Sequence, residues 1–270
     1  MSLDPTYRPI PAAAARFPVL GWGAFYLLLL GAWLGLAWLG PDRAGGSLLD
    51  TLLARCLAPL DATGFGPLFL MWALMSLGMM LPTSAPTLRR FAILARQDRD
   101  ARPGLQFLIF LSAYVAVWLG FALAAAALQV LLARVAPAQV MPARFMPGAE
   151  PLLAAALLAG AGLYQFSRLK HACLVRCRHP MTFFMMHWRG GPGGAFFMGW
   201  KHGLDCLGCC WALMLLSLIG GTMNLAWMGF GMILMALEKL AGAGRFVTIP
   251  LGLILIAAAG FVLGNLRFAI

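Results

Sequence analysis

Charged residues are scarce in this sequence, and acidic residues are the scarcest of them. Asp, Glu, Lys and Arg together make up 11% of the 270 residues, whereas roughly a quarter is usual in soluble domains. Hydrophobic residues make up 62%, and the mean hydropathy is +0.85. This composition excludes an ordinary soluble domain and indicates an integral membrane protein.

The patterns of common hydrolytic sites are also missing. The sequence has no Ser-His-Asp order, no evident pair of carboxylates and no H-E-x-x-H motif. Its net charge of +11 invites a nucleic-acid partner, but the basic residues lie in short segments between apolar runs, where the positive-inside rule accounts for them. We therefore expect no nucleic-acid partner, and a binding protein is favoured over an enzyme.

Apolar runs of the length needed to cross a bilayer recur along the chain and predict an all-α transmembrane bundle. We expect about seven spans, at 18–40, 64–81, 104–133, 150–166, 195–222, 224–237 and 247–266. Most of the 20 Lys and Arg residues fall in alternate segments between these runs, which predicts a cytoplasmic N-terminus. Residues 1–17 are expected to form a mobile arm, and 18–270 a single transmembrane domain.

Sulfur and imidazole groups are concentrated in one part of the chain. Five of the six cysteines and all four histidines lie between Tyr164 and Lys239. Thiolate and imidazole ligands favour Cu(I) or Zn(II) over hard cations. We therefore predict a soft-metal site on the cytoplasmic side, for copper first and zinc next. The predicted ligands are Cys173, Cys177, His202, Cys206, Cys209 and Cys210.

Five further residues are predicted to assist that site, and each has a simpler alternative. Met75, Met79 and Met80 carry thioethers, which bind Cu(I) but also serve as adaptable packing groups. Asp205 is an acid inside an apolar run, although it could pair with Lys201 one turn earlier. Glu238 could be an ordinary helix-end carboxylate. The cysteines themselves could pack as small apolar residues.

Three segments carry a resemblance to a known family. MWALMSLGMMLPTSAP, YQFSRLKHACLVRCRHP and DCLGCCWALMLLSLIGGTMNLAWMGFGMILMALEK resemble the bacterial domain of unknown function 2182, whose members are described as predicted metal-binding integral membrane proteins. The resemblance implies a metal role for the five matching cysteines and a location in the bacterial inner membrane. Gly78 and Asp205 depart from the family pattern, and neither departure touches a cysteine.

Several functions follow from these observations. The leading hypothesis is a membrane protein that binds a soft metal for handling or delivery, with the lipid bilayer and a metal donor or acceptor protein as partners. One alternative is a membrane thiol-disulfide redox protein, and another is a structural subunit of a larger membrane complex. The oligomeric state is left open by the sequence.

Overall fold

The computed structural model describes residues 12–39, 65–97, 102–135, 150–220, 225–240, 242 and 244–268. Within these ranges the chain forms helices and no strand, so the predicted all-α class is confirmed there. The helices are α1 (Ala12–Leu39), α2 (Phe65–Ala95), α3 (Pro103–Val135), α4 (Glu150–Gln165), α5 (Arg168–Arg178), α6 (Pro180–His187), α7 (Gly191–Leu215), α8 (Ser217–Gly220), α9 (Leu225–Glu238) and α10 (Gly244–Phe268).

Three of these helices are long and apolar enough to cross a membrane, namely α2, α3 and α10. A fourth span results if α4 and α5, which meet at a bend of 62°, are taken together. The apolar parts of α1 and α9 are shorter, and α7 is not among the three although it has 25 residues. The count of seven spans and the cytoplasmic N-terminus therefore stay predictions, as does the mobile arm, most of which lies outside the described residues.

One helix is longer than the apolar run that predicted it. α2 continues through Pro82 and Pro86 to Ala95, whereas the predicted span ends before Pro82. Proline has no N–H, so Pro82 leaves the carbonyl of Gly78 without its helical donor. The indole N–H of Trp33 donates to that oxygen at 3.1 Å. Because a neighbouring helix supplies the missing donor, the chain keeps its helical course past the proline.

The centre of the bundle is the contact between α3 and α7, with α2 packed against α3 and α1 covering both α2 and α3. Gly203 allows this close approach, because a Cβ at that position would lie 2.9 Å from the Val117 side chain. Large side chains fill the resulting core, including Trp72, Tyr114 and Trp118. This core places the middle of α7 in the interior.

Three further helices, α4, α5 and α9, also contact α7. α5 packs along α7, α4 pairs with α10, and α9 lies against both α2 and α10. Ser167 caps α5 by accepting a hydrogen bond from the backbone N–H of Lys170 at 3.1 Å. Residues from α2, α3, α5 and the end of α9 consequently reach the same part of α7.

Candidate metal centre

Three thiols of α7 lie together in the interior. The sulfur atoms of Cys206, Cys209 and Cys210 are all within 4.8 Å of one another, and each residue is 1% exposed. Residues three and four apart share one face of a helix, so a single α-helix is enough to gather them. The Cys209 and Cys210 sulfurs are 3.2 Å apart, and the Cys209 thiol donates to the carbonyl of Cys206 at 3.1 Å. We call these three residues the thiol cluster.

The two cysteines of α5 lie beside the thiol cluster and not within it. The Cys177 thiol interacts with the thiols of Cys206 and Cys209. Cys173 lies against the backbone of α7, where a Cβ at position 208 would be 2.6 Å from its sulfur. Glycine at 208 therefore makes room for this thiol. Both α5 cysteines are buried, so all five cysteines of the described residues are close to the same stretch of α7.

His202 is one turn before Cys206 on α7 and is 3% exposed. Its ring is surrounded by the rings of Tyr114, Phe183 and Phe110, at centroid distances of 5.6, 5.8 and 6.1 Å. The Nε2 atom is buried and has no hydrogen-bond partner among the described residues. His202 does not belong to the thiol cluster, but it leaves a nitrogen free one turn away from it.

The two predicted accessory acids are both engaged by cations of α5. Asp205 accepts a hydrogen bond from Arg176 at 2.7 Å, so its partner is on a neighbouring helix and is not Lys201. Glu238 pairs with Lys170 at 2.8 Å, and each side chain is only 1% exposed. The guanidinium of Arg178 also donates to the backbone carbonyl of Glu238 at 2.8 Å. These contacts hold α5 against α7 and against the end of α9.

Lys239 is a contact of the thiol cluster that the sequence predictions missed. Its ammonium donates to the sulfur of Cys206 at 3.1 Å and to the hydroxyl of Thr83 at 2.7 Å. A positive charge at hydrogen-bond distance stabilises negative charge on the sulfur. The sequence does contain a signal for this contact, because a lysine that directly follows an apolar helix needs a polar partner where it leaves water.

Tyr114 of α3 is the second contact that was missed. Its hydroxyl lies 3.3 Å from the sulfur of Cys206 and donates to the carbonyl of Met80 at 3.0 Å. The Thr83 hydroxyl donates to the same carbonyl at 2.9 Å. Cys206 is therefore held by α3, by the end of α9 and, through Lys239, by α2. A tyrosine inside an apolar run is the signal, because a buried phenol usually finds a partner.

The comparison with known families agrees with this donor set. Residues 69–262 match the model of the PpoB2 family, which is described as a copper chaperone. The chain belongs to the PpoB2 family. No curated protein and no solved structure matches the chain.

The PpoB2 match and the thiol cluster support a metal-binding family, as the resemblance implied, while the name domain of unknown function 2182 stays a prediction. The matched residues include every helix that contributes to the thiol cluster and its contacts, from Thr83 on α2 to Lys239 after α9. The family match and the buried sulfur atoms thus point to the same part of the molecule.

Proposed function

We propose that this PpoB2 protein is a multi-pass membrane protein that binds Cu(I) at Cys206, Cys209 and Cys210 and delivers it to an acceptor protein. The observation that carries the proposal is the thiol cluster, whose three sulfurs lie within 4.8 Å of one another in the interior. Thiolates are soft ligands and suit Cu(I). Zn(II), the second candidate, also binds thiolates, and the copper description of the family favours Cu(I).

The cysteines of α5 are the next ligand candidates. Cys177 interacts with two thiols of the cluster, so a small movement of α5 would add a fourth sulfur. Cys173 and His202 are not members of the cluster and would take part in entry or exit of the metal. Asp205 and Glu238 are engaged by Arg176 and Lys170, and we assign them to holding the helices together.

Charge supports a thiolate-bound metal at this cluster. Cu(I) bound by two thiolates and one thiol carries one net negative charge, as does Zn(II) bound by three thiolates, and the ammonium of Lys239, in contact with Cys206, would balance either. A neutral complex is the least costly one in a buried site. Lys239 therefore suits a metal held on thiolates, and the copper description of the family is what favours Cu(I).

The orientation that we propose for the bundle puts metal delivery close to the inner leaflet. We propose seven spans, a cytoplasmic N-terminus and a location in the bacterial inner membrane, with the thiol cluster near the cytoplasmic face. Three apolar helices of sufficient length support membrane insertion. A cytoplasmic site keeps its thiols reduced, as Cu(I) binding requires.

The test is the metal content of protein purified in detergent under reducing conditions. We expect stoichiometric copper in the wild type after growth with copper, and loss of it in the Cys206→Ser variant. Cys56→Ser is the matched control, because Cys56 lies outside the matched residues. A wild type without copper, or a Cys206→Ser variant with the same content, would contradict the proposal.

One observation favours a second function. The sulfurs of Cys209 and Cys210 are 3.2 Å apart on adjacent residues, so these two thiols are placed to react with a common partner. A thiol-disulfide redox protein would use them to form a transient mixed disulfide with its client. Trapping of that adduct by a Cys209→Ser variant would support this function, and copper binding without any trapped adduct would exclude it.

A further inference from the structure

Four buried methionines lie on α2 and α9, two helices that pack against each other. Met75 and Met79 are one turn apart on α2, and Met228 and Met235 lie on α9. Their exposed fractions are 0%, 3%, 0% and 1%, in that order. Four buried thioethers therefore belong to two helices in contact.

Two of the four side chains converge on a glycine. A Cβ at Gly231 would lie 3.1 Å from the methyl carbon of Met79 and 3.9 Å from that of Met235. Both methyl groups thus approach the same point on α9, one from each helix. The missing side chain at 231 leaves a space that the ends of Met79 and Met235 both border.

The same two helices also reach the thiol cluster. Met80, next to Met79, accepts a hydrogen bond from Tyr114, whose hydroxyl contacts Cys206. Lys239, four residues after Met235, donates directly to the Cys206 sulfur. One turn of helix advances about 5.4 Å, so the thioethers lie close to the thiols and on the elements that hold Cys206.

We propose that Met79 and Met235 form a second soft-metal site, which binds Cu(I) through thioethers on its way to or from the thiol cluster. Met75 and Met228, on the same two helices, would extend this site along their contact. The proposal deepens the proposed copper function and rests on it for the identity of the cargo. The site itself rests on the convergence at Gly231.

Ligand charge determines which of the two sites binds Cu(I) more tightly. Thioethers are neutral, so Cu(I) bound to them keeps its positive charge in a buried environment, which is costly. Thiolates neutralise that charge, and the thiol cluster therefore binds more tightly. A weaker site beside a tighter one suits transit, because the metal is not trapped before it reaches the thiols.

Silver is the probe for the test, because Ag(I) resembles Cu(I) in softness and is stable in air. Reduced, detergent-purified protein with isotope-labelled methionine methyl groups is titrated with Ag(I) and followed by NMR. We expect the first equivalent to leave the Met79 and Met235 methyl signals in place, and the second to shift both together. Shifts of neither signal up to two equivalents would overturn the proposal.

A pair of matched variants separates coordination from packing. Leu replaces Met with little change in volume, so Met79→Leu/Met235→Leu should fold and bind one equivalent of Ag(I) fewer than the wild type. Met198→Leu/Met214→Leu alters two buried methionines of α7 and should bind as the wild type does. Equal binding by the first variant, or equal loss in both, would overturn the proposal.

A third variant distinguishes failure of this site from failure of the thiol site. Cys206→Ser/Cys209→Ser/Cys210→Ser should lose the tighter equivalent and keep the methionine shifts, which then appear at the first equivalent. If the wild type shows methionine shifts but this variant binds as much Ag(I) as the wild type, the thiol function fails and the thioether site stands. If the variant loses the tighter equivalent and no methionine signal shifts, the reverse holds.

Discussion

Glu238 and Lys239 are neighbours at the end of α9, yet they make two different kinds of contact. Glu238 meets Lys170 at 2.8 Å, in a pair of opposite charges that is 1% exposed on both sides. Lys239 meets Cys206 at 3.1 Å, and that sulfur belongs to a cluster of three. The first contact joins two opposite charges through one carboxylate oxygen, and the other, Glu238 Oε1, is buried without a hydrogen-bond partner among the described residues. The second leaves soft ligand atoms available, so we assign structure to the first and metal binding to the second.

Breaking the buried Lys170–Glu238 pair should have the largest effect, and the effect should be on stability. Lys170→Met leaves the Glu238 carboxylate buried without a cation, which costs about 3–5 kcal/mol of unfolding free energy. Unfolding in detergent measures the loss. The double variant Lys170→Met/Glu238→Leu should recover most of it, because no buried charge remains. A single variant as stable as the wild type would contradict the structural role.

Removing the ammonium beside the thiol cluster should act on copper affinity instead. Lys239→Met deletes a charged hydrogen bond to Cys206, worth about 1.5–3 kcal/mol, so Cu(I) should bind about tenfold to a hundredfold more weakly. Competition against a chromogenic Cu(I) chelator measures this. Lys239→Arg keeps the charge and should recover part of the affinity. If Lys239→Met binds Cu(I) as tightly as the wild type, the Lys239 ammonium makes no contribution to metal binding.

The phenol of Tyr114 should matter less than the ammonium, because it is neutral. Tyr114→Phe removes the contact of the hydroxyl with the Cys206 sulfur and its hydrogen bond to the Met80 carbonyl, and a neutral hydrogen bond is worth about 0.5–1.5 kcal/mol. We expect copper to bind less than about tenfold more weakly in the same competition assay. A loss as large as that of Lys239→Met would mean that Tyr114, and not charge, organises the site.

The smallest effect is expected at the second ion pair. The side chain of Arg176 in the Asp205–Arg176 pair is 47% exposed, and pairs that reach solvent contribute about 0–1 kcal/mol. Asp205→Asn should therefore change the free energy of unfolding by no more than about that amount and leave copper binding intact. Loss of copper in this variant would make Asp205 a ligand, as the sequence allowed.

The sequence predicts local features of the site better than features that depend on packing. Cys206, Cys209 and Cys210 are gathered by helical periodicity, which can be read from their spacing alone. The sequence suggests Lys201, on the same helix, as a partner for Asp205, but the partner is Arg176 on α5. The Lys239 contact likewise requires the end of α9 to meet α7, and no periodicity reveals which helices become neighbours.

The fold also has local features that the sequence predicts and others that depend on packing. Apolar runs predict the helices, because burying or lipid-exposing an apolar stretch requires internal hydrogen bonding. The predicted span ends before Pro82, whereas α2 continues to Ala95. Proline breaks a helix unless another residue donates a hydrogen bond to the carbonyl that the proline leaves unpaired. That residue is Trp33, which lies far away in the sequence and could not be paired with Gly78 before the helices were packed.

The most direct test of the thiol cluster as a Cu(I) site is the copper X-ray absorption spectrum of the reduced protein carrying one copper per chain. We predict Cu(I) with sulfur as the nearest ligand, and a clear change in that spectrum in the Cys206→Ser/Cys209→Ser/Cys210→Ser variant. Nitrogen or oxygen as the nearest ligand in the wild type, or the same spectrum in both proteins, would contradict it.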